Sequence, residues 1–515
     1  MQNVCENAST RKLKDGNKKL LIGALVLTIG AFVSKFLGAF YRFPLTNILS
    51  SNGMGIYQMI YPLYSLLLVL SSSGIPVALG VIIAEGLERK QFAYVKKVEK
   101  VSLAFVVIVG FFLSLCVYLF SGALSSLQGN ELGRLGYMAL APSILFVSVI
   151  SGIRGIFQGR QNMVPTALSQ ICEQVVKIVF GIILAKLFID KGIEYAVMGA
   201  LLAVTISELV SLVFLLILFK KRKRETFIIS EKESFVSNGQ VIKDLIKIAL
   251  PITITSAVLP LSLFFDSVVV INLLKTTMSI ESATSLYGVF SGVVMTLINL
   301  PVVVSTSLST SLIPTLTKAI CMKDVKEQKS VVATCKEIVL WVSIPCMIFF
   351  IVAGLNIIEL VFSSSLLNSE ILLASKLLAF QSVTTILLSF LQLYSSVLQC
   401  YKEAIKGAFI LICGVIIKTI FIIFLTKSFG IYSVCAGYVF GYLFSFALYF
   451  IEARKFVKTN VSGEIIKVVM STINSVLLFF ILKNVNFSFI LTCFACIVLY
   501  LVHMFIFDVF KKLSV

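Results

Sequence analysis

The dominant pattern along this chain is a series of long apolar runs separated by short polar segments. About 20 apolar residues cross the hydrocarbon of a bilayer as one helix, because each residue adds about 1.5 Å. Runs of this length predict fourteen spanning helices, over residues 20–46, 53–84, 98–121, 134–156, 162–189, 194–219, 245–273, 284–316, 337–355, 371–399, 403–426, 430–452, 464–483 and 486–510. The runs are continuous rather than alternating, which argues against a membrane barrel.

The basic residues are distributed unevenly among the segments that join these runs. With the N-terminus inside, 33 of the 44 Lys and Arg fall in inner segments and only five in outer segments. The inner count includes Arg154 and Lys336. This bias predicts orientation, because positively charged loops stay in the cytoplasm. We therefore expect a multi-pass protein of the plasma membrane with both termini cytoplasmic.

Composition supports this interpretation and narrows the function. The 515 residues are 58% apolar and only 13% charged, yet the net charge is +19. A soluble domain is about 25% charged, so an ordinary soluble enzyme is excluded. Because most of the basic surplus is explained by topology, it does not indicate a nucleic-acid partner. The eleven cysteines are scattered, and Cys493 and Cys496 lie in an apolar run, so no metal or cofactor is expected.

The chain divides into two halves and a tail. A basic cytoplasmic linker at 220–244 separates an N-lobe of six spans, 20–219, from a C-lobe of six spans, 245–452, with a leader at 1–19 and two additional spans and a short tail at 453–515. Ile75-Pro76 and Ile313-Pro314 occupy similar places in the halves, each before a basic stretch. An even number of spans per half predicts parallel repeats with a substrate cavity between them. The predicted fold is an all-α membrane protein with fourteen spanning helices.

Charges inside spans are the candidate functional residues, because burying a charge in lipid costs about 2.5–3.5 kcal/mol on insertion scales. Lys35 and Arg42 are seven residues apart in the first span and so share one helix face. Lys177 lies in the fifth span and Lys418 in the eleventh. We interpret these four cations as a site for an anionic head group such as a pyrophosphate, which Arg can bind through two hydrogen bonds.

Three acidic residues inside spans are candidates for ion coupling or charge pairing. Glu173 stands four residues before Lys177, so the two form a predicted pair on one face of the fifth span. Glu208 is central in the sixth span, and Asp266 lies in the outer half of the seventh. The chain has no GxxxxGK[ST] motif for ATP, so we expect energy from H⁺, Na⁺ or the membrane potential.

Three segments carry a resemblance to a known family. The runs Thr28–Pro44, Gly53–Pro62 and Ser73–Ala78 resemble the polysaccharide-export branch of the multidrug/oligosaccharidyl-lipid/polysaccharide (MOP) exporter superfamily, closest to the group of stage V sporulation protein B and lipid II flippases. The resemblance implies alternating-access flipping of an undecaprenyl-pyrophosphate-linked sugar precursor, for spore cortex or cell-wall synthesis, without enzymatic activity. It also implies that Lys35 occupies the basic position of a Ser-Arg-x-Leu-Gly motif.

Two other functions remain open at the level of the sequence. One is a cation-coupled multidrug antiporter, in which Glu208 or Asp266 would bind H⁺ or Na⁺. The other is a membrane-embedded glycosyl polymerase, for which the short outer loops offer few acidic residues. The expected partners are a lipid-linked oligosaccharide, membrane lipids and cell-wall synthesis proteins.

Overall fold

The computed structural model describes residues 2–221, 236–459, 462–485 and 487–513, with side chains for 29–221, 236–459, 463–485 and 487–506. Most of the predicted linker, 220–244, and the side chains of the leader lie outside these ranges. All regular secondary structure within them is helical, in agreement with the predicted fold class. The chain forms two compact units, Met1–Ser285 and Leu286–Val515.

The first unit contains eight α-helices: α1 (Gln2–Ser72), α2 (Gly74–Glu88), α3 (Phe92–Leu119), α4 (Ser121–Leu127), α5 (Arg134–Gly159), α6 (Val164–Phe188), α7 (Ile193–Lys221) and α8 (Asn238–Leu274). Helix α9 (Ile280–Gly288) crosses the boundary between the units. The second unit continues with a π-helical turn at Val289–Val294 and then α10 (Met295–Cys321), α11 (Val325–Phe362), α12 (Asn368–Gln381), α13 (Val383–Cys400), α14 (Ala404–Phe429), α15 (Tyr432–Phe456), α16 (Ser462–Asn484) and α17 (Phe489–Leu513).

Twelve helical stretches within the described residues are long and apolar enough to cross a membrane. One of them, Ile29–Glu88, covers both the first and the second predicted spans. The fifth predicted span is helix α6, which is not among the twelve and carries Glu173, Lys177 and Lys186. A multi-pass membrane protein is therefore confirmed, whereas the count of fourteen stays a prediction.

The boundary between the two units differs from the predicted lobe boundary. Helix α8 was expected to begin the C-lobe, but it packs within the first unit, against α1 and α2. A glycine makes the contact between α8 and α2 possible. A Cβ on Gly74 of α2 would collide with the carbonyl oxygen of Ala249 in α8 and lie 2.5 Å from the Thr253 hydroxyl. The lobes of the sequence analysis stay a prediction.

Helix α1 is interrupted where its first and second predicted spans meet. Ser50 has φ 56° and ψ −173°, a backbone conformation that is almost confined to glycine. The neighbouring Ser51 hydroxyl accepts a 2.8 Å hydrogen bond from Ser285, and Leu49 is fully buried. The break is therefore held in place by packing and by a hydroxyl contact, which together offset the local strain.

Candidate functional site

A row of tyrosines extends along α1 from one of the predicted cationic residues. Tyr57, Tyr61 and Tyr64 are spaced by four and three residues, so they lie on one helix face. Adjacent ring centroids are 5.5 Å and 5.6 Å apart. The Arg42 guanidinium lies 5.9 Å from the Tyr61 centroid, within cation–π range. We call these three residues the tyrosine ladder.

The tyrosine ladder ends at a buried carboxylate. The Tyr64 hydroxyl donates a 3.0 Å hydrogen bond to Oε1 of Glu208 on α7, and both side chains are at most 3% exposed. The second carboxylate oxygen, Oε2, has no hydrogen-bond partner among the described residues. A buried acceptor without a partner costs about 1–3 kcal/mol, so Glu208 is held in a state that a proton or a cation would relieve.

An ion pair lies within electrostatic reach of Glu208. Arg154 of α5 contacts Oε2 of Glu173 at 3.3 Å, and its Nε donates a 3.0 Å hydrogen bond to the Ser169 hydroxyl. Gln174 Nε2 donates to the other oxygen of Glu173 at 3.1 Å. The predicted pairing of Glu173 with Lys177 is therefore replaced, within the described residues, by pairing with Arg154. Ser169 lies one turn before Glu173 on α6. Its hydroxyl holds the Arg154 guanidinium within reach of the Glu173 carboxylate.

Lys35, Arg42 and Lys177 lie on the two helices that pack together near this ion pair. Lys35 is exposed and Arg42 half-buried on α1, whereas Lys177 of α6 is 8% exposed. A Cβ on Gly38 of α1 would lie 3.0 Å from Oε1 of Gln174, the residue next to Glu173, so α1 packs closely against α6 here. The structure thus places the two predicted cations of α1 and Glu173 of α6 on helices of the first unit that pack together.

Asp266 and Lys418 are buried but belong to other surroundings. Asp266 of α8 is 3% exposed and stands beside Ser267. Lys418 of α14 is 2% exposed in the second unit, where its ammonium lies 4.6 Å from the Tyr438 ring centroid. The structure therefore places Lys418 against an aromatic ring of its own unit. Its predicted role in head-group binding stays a prediction.

A second polar cluster ties three helices of the first unit together. Gln128, fully buried after α4, donates 2.7 Å hydrogen bonds to the Met59 carbonyl of α1 and to the Ser267 hydroxyl of α8. The Tyr137 hydroxyl of α5 donates to Oε1 of Gln128. Nearby, Asn130 Nδ2 donates to Thr284 at 2.9 Å. This Gln128 cluster ties α1, α5 and α8 together at one end of the first unit. The predicted topology, which stays a prediction, would put that end on the outer side.

Sequence reasoning missed Arg154, Tyr64 and Gln128. Arg154 was counted with the inner loops, yet it lies inside α5, with a side chain only 15% exposed. The signal was present, because Ile153 and Ile156 on either side of it are apolar and fully buried. Tyr64 and Gln128 are uncharged, so the search for charges inside spans passed over them. Their roles become visible only through hydrogen bonds to residues on other helices. No group of three or more metal-ligating side chains occurs within the described residues, and the expectation of no cofactor stays a prediction.

The fold identifies the class of protein. A multidrug resistance MATE family transporter of the MOP superfamily, solved in an inward-facing conformation, is similar with a TM-score of 0.68 at 16% identity, over 84% of this chain and 97% of that one. At that identity the similarity shows the fold alone. The chain is a helical membrane protein with the fold of MOP superfamily transporters.

Sequence comparison identifies the family. Residues 20–320 match the family described as polysaccharide biosynthesis protein, and the chain belongs to that family. Stage V sporulation protein B of Bacillus subtilis (strain 168) is 31% identical over 309 residues, which are 59% of this chain and 59% of that relative. Lipid II flippase MurJ of the same organism is 25% identical over 482 residues, or 89% of this chain and 87% of the relative. The resemblance noted from the first two spans is confirmed.

Proposed function

We propose that this protein is a flippase rather than an enzyme. It moves an undecaprenyl-pyrophosphate-linked sugar precursor, similar to lipid II, across the plasma membrane by alternating access. The product would serve spore cortex, cell-wall peptidoglycan or polysaccharide synthesis, in company with cell-wall synthesis proteins. The family assignment and the similarity to stage V sporulation protein B and to MurJ support this proposal.

The observation that carries the proposal is the cationic face of α1. Arg42 is half-buried over Tyr61, and Lys35, seven residues earlier, is exposed on the same face. A guanidinium contacts phosphate oxygens through two parallel hydrogen bonds, while an ammonium attracts them as a point charge. The pair therefore suits a pyrophosphate head group. The half-buried ring of Tyr61 beside Arg42 offers a flat surface for a sugar or a lipid chain.

The coupling step is assigned to the acidic end of the tyrosine ladder. Glu208 keeps one oxygen without a partner and lies within electrostatic reach of Glu173 and Arg154. Uptake of H⁺ or Na⁺ there would neutralise a buried carboxylate, and the membrane potential would favour its entry. Asp266 is a second buried carboxylate of the first unit that could share this role.

The test is a flipping assay with purified protein in proteoliposomes, comparing lipid II with other polyprenyl-linked sugars. We expect Lys35→Ala and Arg42→Ala each to lower the rate of flipping at least tenfold, with the protein folded and at normal abundance. Lys186→Ala removes one positive charge from an exposed position near the end of α6 and should keep the wild-type rate. Full activity of both α1 variants would exclude the proposed head-group site.

A second candidate function is a cation-coupled multidrug antiporter. The similarity in fold to a MATE transporter and the buried Glu208 favour it. An antiporter would export organic cations from proteoliposomes along an imposed H⁺ or Na⁺ gradient, and Glu208→Gln would abolish this export. Lipid II flipping without any organic-cation export would decide for the flippase.

A further inference from the structure

The second unit contains two neighbouring cations that the proposed transport site does not use. Lys336 of α11 is 4% exposed, and its ammonium lies 5.2 Å from the ring centroid of Tyr394 on α13. Arg454 lies in the last turn of α15 with its guanidinium 5.1 Å from the Phe450 centroid, and the residue is exposed. The two rings that carry these cations, Tyr394 and Phe450, lie 6.2 Å apart between centroids. Arg454 is also within electrostatic reach of Lys336, so these groups form one cluster.

The two cations lack a counter-charge in the part of the chain that the structure describes. Lys336 donates a 2.7 Å hydrogen bond to the Thr459 hydroxyl, and its other neighbours are a ring and a second cation. Arg454 likewise has rings and Lys336 around it, and no described carboxylate contacts either residue. Burying an ammonium beside a guanidinium is unfavourable unless an anion joins them. The arrangement therefore points to an anion that binds from outside the protein.

The position of the cluster indicates the kind of anion. It lies about three turns into α11 and within two turns of the ends of α13 and α15. The positive-inside bias assigns this end of these helices to the cytoplasmic face. The rim is aromatic, with Tyr401 stacked on Phe456 at 4.5 Å, and aromatic rings are typical of the membrane interface. Basic pockets between helices on the cytoplasmic side bind the head groups of anionic lipids.

We propose that Lys336 and Arg454 form a binding site for the phosphate of an anionic phospholipid of the inner leaflet. The exposed Arg454 guanidinium contacts the phosphate oxygens directly, because its planar group can donate two parallel hydrogen bonds to them. The buried Lys336 ammonium lies beneath and supplies the second positive charge. Thr459 accepts one of its three N–H donors, which leaves two for the phosphate. A bound lipid would join α11, α13 and α15 and stabilise the second unit.

The experiment measures thermal unfolding of the full-length protein in nanodiscs of phosphatidylcholine alone or mixed with phosphatidylglycerol. The only tryptophan, Trp341, lies on α11 five residues after Lys336 and reports on this region. We expect phosphatidylglycerol to raise the melting temperature of the wild type, and Arg454→Gln to lose most of that rise. Lys406→Gln also removes one charge at this end, from an exposed side chain paired with Glu403, and should keep the rise.

The variant Lys336→Met separates lipid binding from a purely structural role. If the site is built for an anion, this variant should be at least as stable as the wild type in phosphatidylcholine and should show no rise with phosphatidylglycerol. If Lys336→Met lowered the melting temperature by the same amount in both lipid mixtures, the proposal would be overturned. A wild type whose melting temperature does not respond to phosphatidylglycerol would also overturn it. Loss of the rise in Lys406→Gln would overturn it too, since attraction would then be non-specific. Stabilisation by a polyprenyl phosphate and not by phosphatidylglycerol would assign the site to another lipid.

Discussion

The Tyr64 hydroxyl donates a 3.0 Å hydrogen bond to Glu208, and the two residues are 144 positions apart in the chain. Removing that hydroxyl in Tyr64→Phe leaves both carboxylate oxygens of Glu208 without a partner. We expect a loss of about 1–3 kcal/mol in the free energy of unfolding, measured by thermal or denaturant unfolding of purified protein. Tyr61→Phe, one turn earlier on the tyrosine ladder, is the control and should cost less.

Charge at Glu208 can be tested separately from its shape. Glu208→Gln keeps the size of the side chain and an acceptor for Tyr64 but removes the titratable group. If Glu208 couples ion movement to transport, flipping by this variant should no longer respond to an imposed pH or Na⁺ gradient, although substrate binding persists. Glu173→Gln is the comparison variant on α6. An unchanged gradient response in Glu208→Gln would assign coupling elsewhere.

The ion pair between Arg154 and Glu173 should be energetically coupled. The side chains of Arg154 and Glu173 are 15% and 16% exposed, so solvent screens their charges only partly. A double-mutant cycle with Arg154→Met and Glu173→Gln should give a coupling energy of about 1–3 kcal/mol. The more exposed pair of Lys406 and Glu403 is the reference and should give about 0.3–0.5 kcal/mol. Equal coupling in the two cycles would mean that Arg154 is effectively solvated.

Gln128 should control how readily the first unit opens on the outer side. Gln128→Ala removes hydrogen bonds to α1, α5 and α8 at once. We expect faster labelling of a cysteine introduced at Ser267 by a membrane-impermeant thiol reagent, because Ser267 is fully buried in the closed arrangement. Gln240→Ala, at the exposed beginning of α8, should leave the labelling rate unchanged. Slower or equal labelling in Gln128→Ala would contradict a closing role.

Helix α2 should tolerate no side chain at Gly74. A Cβ there would meet the Ala249 carbonyl and the Thr253 hydroxyl of α8, so one helix must shift. We expect Gly74→Ala to lower stability by about 1–3 kcal/mol, measured by thermal unfolding. Gly463→Ala is the matched control, since nothing lies within 4 Å of a Cβ at that position. Equal effects would show that helix propensity, not the close approach, decides the outcome.

The strain at Ser50 predicts a stabilising substitution. Glycine adopts positive φ without the Cβ clash that serine has, so Ser50→Gly should raise the free energy of unfolding by about 1 kcal/mol. Ser51→Gly is the control and should destabilise, because it removes the acceptor for Ser285 and lies in helical backbone just after the break at Ser50. A destabilised Ser50→Gly variant would mean that the serine side chain contributes more than the strain costs.

The sequence predicted well those features that depend on local periodicity. The apolar runs correspond to helices, and the spacing of Lys35 and Arg42 holds because α1 is continuous between them. Pairing between helices was less predictable. Glu173 had a plausible partner four residues away, and only the packing of α5 against its neighbours brings Arg154 to it. Lys336 was likewise assigned to a loop, although α11 begins eleven residues before it.

The Gln128 cluster also bears on how the chain can change during evolution. Its side-chain partners, Tyr137 and Ser267, are distributed over two helices, whereas Met59 contributes only its carbonyl oxygen. Loss of Gln128 would remove a donor from the Met59 carbonyl and from the Ser267 hydroxyl, and an acceptor from the Tyr137 hydroxyl, so we expect single substitutions to be disfavoured. Positions 128, 137 and 267 should therefore vary together among relatives, while position 59 is constrained only by the packing of its side chain.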